Sequence, residues 1–145
     1  MKQLEFSVSI RAAKAKVWGT LWQDKTFRDW ADIIDPGTYM LGELKEGNEV
    51  QFISSSSGYG VTSLIERLVP SKFLQLRHRA DTEQNGGKVR EAEWTGGRES
   101  YSLAERDQTT TLTVVLDVPE NLVETFNVIY PKVLARIKEF AELEK

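Results

Sequence analysis

The chain has a single histidine, His78, in the run Phe73-Leu74-Gln75-Leu76-Arg77-His78-Arg79-Ala80. Strict alternation puts Leu74, Leu76, His78 and Ala80 on one face and Phe73, Gln75, Arg77 and Arg79 on the other. An imidazole on the apolar face of a strand, near its end, can hydrogen-bond a polar group of a ligand or shuttle a proton. The plain alternative is a hydrogen-bonded histidine closing a strand. Tyr101 and Leu103 share a face of a second strand, and Tyr130 lies on an apolar helical stripe. A buried phenol needs a partner for its hydroxyl, so Tyr101 and Tyr130 are better candidates for ligand contact than their leucine neighbours. If the chain is an enzyme, His78, Tyr101 or a cavity carboxylate is the group to move a proton, which requires approach to within about 2.6–3.2 Å of the target. No catalytic signature chooses among them.

Other chemistries find no support. The absence of cysteine excludes disulfides, thiolate nucleophiles and cysteine–metal sites, and one histidine without cysteine makes a zinc site implausible. Asp29, Asp32 and Asp35 are spaced by three but lack the calcium-loop pattern. GYGVTS, residues 58–63, has Ser63 where a dinucleotide fingerprint needs its third glycine, and it joins two strands, so it reads as a hairpin tip. There is no GxSxG elbow. No metal and no cofactor are expected.

Three of the four tryptophans, Trp18, Trp22 and Trp30, fall within residues 17–30. Trp18 and Trp22 are four apart on one helix face; Phe27 and Trp30 are three apart on the next. Burial of part of each ring is expected. The rings are core, the mouth of a cavity, or a protein-binding hot spot.

These side chains must be positioned by recognisable elements. LEFSVSI alternates as a half-buried strand. Helical spacing follows over 12–22, then a second short helix over 26–30, with Thr26 placed to cap it and Asp29 at the capping-box position. Asp35-Pro36-Gly37 ends the helical region. About six strands follow, with a polar loop over 81–88 and a long extended stretch over 90–105 interrupted by Gly96-Gly97, where a bulge or bend is expected. Val50 and Phe52 share a face, as do Leu112, Val114 and Leu116. From Glu120 an apolar stripe through Val123, Phe126, Tyr130, Val133, Ile137 and Phe140 marks an amphipathic helix of roughly 24 residues, with a kink or break near Pro131. The order, β-α-α-β6-α, is an α+β architecture in one domain, a curved antiparallel sheet covered by the long terminal helix.

A net charge of -3 and a pI near 5.3 argue against nucleic acid as a partner. No apolar run is long enough for membrane insertion, and MKQLEFSVSIRA lacks the apolar core of a signal peptide, so a cytoplasmic location is expected.

Three segments carry a family resemblance: FSVSIRAAKAKVWGTLWQDKTFRDW, RESYSLAERDQTTTLTV and YPKVLARIKEFAE. Their order resembles the helix-grip fold of the START-like superfamily (SRPBCC), shared with the birch pollen allergen. More narrowly it resembles the branch named after the activator of heat shock protein 90 ATPase. The resemblance implies a cavity between sheet and long helix that takes a small hydrophobic or amphipathic molecule: a lipid, polyketide or aromatic metabolite. Face by face, the candidates for its wall are Trp22 and Trp30 from the short helices, Phe52, Leu76, His78, Tyr101, Leu103 and Val114 from the sheet, and Phe126 and Tyr130 from the last helix. Two alternatives stay open. One is a chaperone-interaction module with a chaperone as partner; the other is a polyketide cyclase-like enzyme.

Overall fold

The computed structural model describes residues 1–83, 87–88 and 94–143. Strand β1 (Lys2–Ile10) pairs antiparallel with β8 (Thr109–Val118), in a register that sets Leu4 against Leu116, Phe6 against Val114 and Val8 against Leu112. From Leu4 to Ile10 and from Leu112 to Val118 every second residue is thus apolar and shares one face, the period that alternation requires. From β8 the sheet continues through β7 (Arg98–Arg106), β5 (Phe73–Glu83), β4 (Gly60–Val69) and β3 (Glu49–Ser54) to β2 (Thr38–Leu41). The two-residue β6 (Gly87–Lys88) pairs with β5. The result is a curled antiparallel sheet with a long C-terminal helix, the expected helix-grip arrangement.

Helices α1 (Lys14–Trp22) and α2 (Asp24–Ala31) occupy the connection between β1 and β2. They bury Val17, Leu21, Trp22, Phe27 and Trp30. The second helix begins earlier than Thr26. Gln23 occupies its N-cap position without a side-chain cap, and the Thr26 hydroxyl donates back to the Gln23 carbonyl at 3.3 Å. A preceding helix ending at Trp22 leaves no room for a separate cap at Thr26.

A short 3-10 turn (Glu120–Leu122) leads into α3 (Val123–Ala141), which buries Tyr130, Val133, Leu134, Ile137 and Ala141. The helix is continuous through Pro131, so no break occurs there. Arg136 fastens α3 to α2 by a forked pair to Asp29, Nε to Oδ1 at 2.7 Å and Nη2 to Oδ2 at 3.2 Å. Lys138 Nζ donates to the Ser9 carbonyl at 2.7 Å, tying the same helix to β1.

Two expectations about the middle of the chain change. Residues 81–83 continue β5 and 87–88 form β6, so the polar loop is shorter than 81–88; residues 84–86 lie outside the described residues, as do 89–93 of the extended stretch. At Gly96-Gly97 the chain turns: Gly96 has φ of 86°, its amide donates to the His78 carbonyl at 2.7 Å, and the His78 amide donates to Gly97 at 2.9 Å.

Candidate functional site

Between the sheet, the short helices and α3 lies a cavity of about 330 Å³. Its helical side is aromatic. Trp22 meets the Tyr101 ring edge-on at 4.9 Å between centroids, and Phe27 packs on Phe52 at 5.8 Å. From α3, Phe126 stacks on Tyr130 at 5.9 Å and touches Trp94 at 5.6 Å. Tyr59, in the β3–β4 hairpin, lies on the same wall and is 58% exposed, which puts it at the solvent side of the cavity. Gly60 follows it; a Cβ there would overlap the Phe52 carbonyl oxygen, so the hairpin closes on the wall only with glycine.

Against this aromatic lining the sheet presents a chain of polar groups. Ser63 Oγ lies 2.7 Å from His78 Nδ1, and His78 Nε2 lies 3.4 Å from Glu99 Oε1. The Tyr101 hydroxyl donates to Glu99 Oε2, and the Tyr130 hydroxyl stands 3.4 Å from that of Tyr101. His78, Glu99, Tyr101 and Tyr130 all reach the cavity, whereas Ser63 is fully buried behind His78. Ser63 therefore orients the imidazole and is not presented as a nucleophile.

The electrostatics follow from burial and from these contacts. Burial pushes the Glu99 carboxyl up, but the hydrogen bond and charge of His78, together with the Tyr101 hydroxyl, outweigh it and hold the group below its ordinary range. Burial, followed by the nearby Glu99 charge, pushes the Tyr101 and Tyr130 phenols well above 10.0. Asp35, also on the wall, is raised by burial.

A β-bulge brings a further acid into the cavity. Thr62 pairs with Ala80, but Ser63 pairs with His78, so Arg79 has no partner and the alternation of β5 inverts past it. Asp81 consequently reaches the same wall as His78. Its Oδ1 and the Trp22 indole Nε1 are the two buried side-chain polar atoms without a hydrogen-bond partner among the described residues.

Of the wall candidates read from the sequence, Trp22, Trp30, Phe52, His78, Tyr101, Phe126 and Tyr130 lie on the cavity. Leu76, Leu103 and Val114 do not; all three are buried in the hydrophobic core. Alternation assigned their face correctly but says nothing of position along the strand, and at their level the sheet is covered by packed side chains. Trp30 is 2% exposed and donates its indole N–H to the Leu21 carbonyl at 3.1 Å, so one edge packs in the core while the residue still borders the cavity. Trp18 is half-buried and meets Trp22 edge-on at 6.1 Å, off the wall. Residues that sequence reasoning missed are Glu99, Asp81, Asp35, Phe27 and Trp94. Glu99 was findable, being two residues before Tyr101 on the same face. Among the described residues no three acidic or histidine side chains are grouped to hold a metal, and no helix is long and apolar enough to cross a membrane.

No family profile matches the chain, and no curated protein matches it in sequence. In structure it is similar to the Aha1 dimer from Colwellia psychrerythraea, at 18% identity over 100% of this chain and 99% of that one, with a TM-score of 0.74. It is similar to CalU16 from Micromonospora echinospora, at 16% identity over 97% of this chain and 76% of that one, with a TM-score of 0.68. DynU16, a protein of the dynemicin biosynthetic locus, matches at 14% identity over 98% of this chain with a TM-score of 0.71; this chain spans 48% of its length. At these identities the likeness is one of fold: the curled antiparallel sheet and long terminal helix of the helix-grip architecture.

Proposed function

We propose that the chain binds a small amphipathic molecule with an aromatic or polycyclic body in the sheet–helix cavity, as a cytoplasmic member of the START-like superfamily. The observation that carries this reading is the cavity itself: about 330 Å³, walled by aromatic rings and provided with a few polar groups. Ligand pockets have this composition and volumes of roughly 300–1,000 Å³. That one structural neighbour comes from a biosynthetic locus supports a small-molecule role. The chaperone alternative draws on the Aha1 neighbour, at 18% identity.

Calorimetric titration with a neutral aromatic probe, 2-naphthylmethanol, tests the reading. Saturable binding is expected in the parent chain and its loss in Val61→Phe, which fills the cavity from a strand position where phenylalanine is well tolerated. Absence of saturable binding of this probe and of its cationic and anionic naphthalene counterparts to the parent chain sinks it.

A second reading is favoured by one observation, the hydrogen-bonded run His78–Glu99–Tyr101–Tyr130 along the wall. Such a run can accept or deliver a proton at a bound molecule, as a cyclase-like enzyme would require. Conversion of a bound molecule that survives His78→Ala and Glu99→Gln unchanged removes this reading.

A further inference from the structure

We propose that the molecule this cavity takes is an organic cation: a protonated amine on an aromatic or alicyclic body, with a hydrogen-bond acceptor elsewhere on it. The inference rests on the reading of the cavity as a binding site and specifies the chemistry of its occupant.

Two independent features point this way. The first is unsatisfied polarity. Folded proteins pair nearly all their buried polar atoms, and exceptions call for an explanation. Here the two exceptions among the described residues, Trp22 Nε1 and Asp81 Oδ1, belong to residues that line the same cavity, one from α1 and one from β5. Trp22 is 8% exposed and its indole can only donate, so it needs an acceptor. Asp81 Oδ1 is a carboxylate oxygen without a partner, and a donor would satisfy it. A ligand carrying both would satisfy the pair.

The second feature is sign. Among the described residues the wall holds three carboxylates, Asp35, Asp81 and Glu99, and no lysine or arginine. His78 is its single basic side chain among the described residues, and it is engaged by Ser63 and Glu99. Glu99 in turn accepts from Tyr101. Asp35 and Asp81 form no ion pair with any described residue, so among the described residues no cation offsets these two carboxylates. The same lining includes the aromatic rings of Trp22, Phe27 and Phe52, and the π-face of such a ring attracts an ammonium through its quadrupole. A carboxylate or phosphate ligand would instead face like charge, and among the described residues of the wall the one group that could offset it, His78, is already engaged by Glu99.

Three probes with one naphthalene body separate the possibilities: 2-naphthylmethylamine, 2-naphthylmethanol and 2-naphthoate, each titrated calorimetrically into the full chain at neutral pH and low salt. The amine is expected to bind at least about tenfold more tightly than the alcohol, with naphthoate weakest, because charge pairing in a water-poor site discriminates by sign. Asp81→Asn is expected to bring the amine down to the level of the alcohol while the alcohol stays within about twofold. Alcohol or naphthoate binding as tightly as the amine overturns the cation assignment and leaves the binding reading standing. Failure of all three to bind overturns both. Because the order of the three probes is read in the unaltered chain, the test holds even if the Asp81 variant does not fold. An amine affinity unmoved by Asp81→Asn in a folded variant also overturns the assignment.

Discussion

His78 Nε2 stands 3.4 Å from Glu99 Oε1 across two strands that are hydrogen-bonded neighbours. Ser63 holds the opposite ring nitrogen at 2.7 Å, so the imidazole is gripped from both sides and aimed at the carboxylate. Glu99 contributes to how the protein responds to acid. Glu99 is held below its ordinary range, so the unfolded chain takes up this proton first as the pH falls. Its contribution to stability is therefore complete above the unfolded value, near 4.5, and is lost as the pH drops through the lower folded value. The parent chain should melt above Glu99→Gln at neutral pH, with the gap closing on acidification. Melting curves for the two proteins that stay parallel across this range would refute it.

The two cavity phenols make the opposite demand at high pH. Tyr101 and Tyr130 keep their protons in the folded state beyond 10.0, where the unfolded chain has begun to lose them. Their contribution is fully present below that value and declines as the pH rises above it. Two of the four tyrosines should thus ionise only together with unfolding, seen as a phenolate absorbance step that coincides with loss of circular dichroism. A smooth titration of all four with the structure intact would contradict the burial of this pair.

Gly60 is where the hairpin and the cavity wall constrain each other most tightly. Any Cβ would run into the Phe52 carbonyl, a backbone atom that cannot rotate away. Gly60→Ala should cost about 2–3 kcal/mol, at the upper end of overpacking effects. That corresponds to a fall in Tm of roughly 5–10 °C for a chain of this size. A Tm within about a degree of the parent would mean that the β3–β4 pairing relaxes freely.

The legibility of this site in the sequence was uneven for physical reasons. Alternation placed His78 beside Leu74 and Leu76, and all three are buried on the face it named. The same alternation places Glu99 inward, two residues before Tyr101, but a charged side chain reads as solvent-facing unless its partners are known. Its ionic partner, His78, lies on another strand, far off in sequence. Asp81 defeats alternation altogether. Period two would pair Ala80 with His78 on the inner face, and the bulge at Arg79 inverts it without a glycine to announce the irregularity. The helices were plain from apolar spacing, whereas the second starts earlier than Thr26 because Gln23 serves as both the end of one and the start of the next.

Pro131 offers a test that leaves the cavity chemistry untouched. It is exposed, and α3 runs through it without interruption. Proline has no N–H, so the Asn127 carbonyl lacks its helical donor, and the ring crowds that carbonyl. Asn127 is itself exposed, so water can meet the freed carbonyl and offset part of the loss. Pro131→Ala restores the hydrogen bond and should stabilise the protein by about 1–3 kcal/mol, less than or equal to the full helix-interior penalty. Phe126 and Tyr130 already sit on a regular helix, so the affinity for 2-naphthylmethanol should stay within about twofold. A Tm that does not rise would show that the proline relieves a strain elsewhere in α3. A large loss of affinity at unchanged or higher Tm would show that it sets the position of Tyr130 against the cavity.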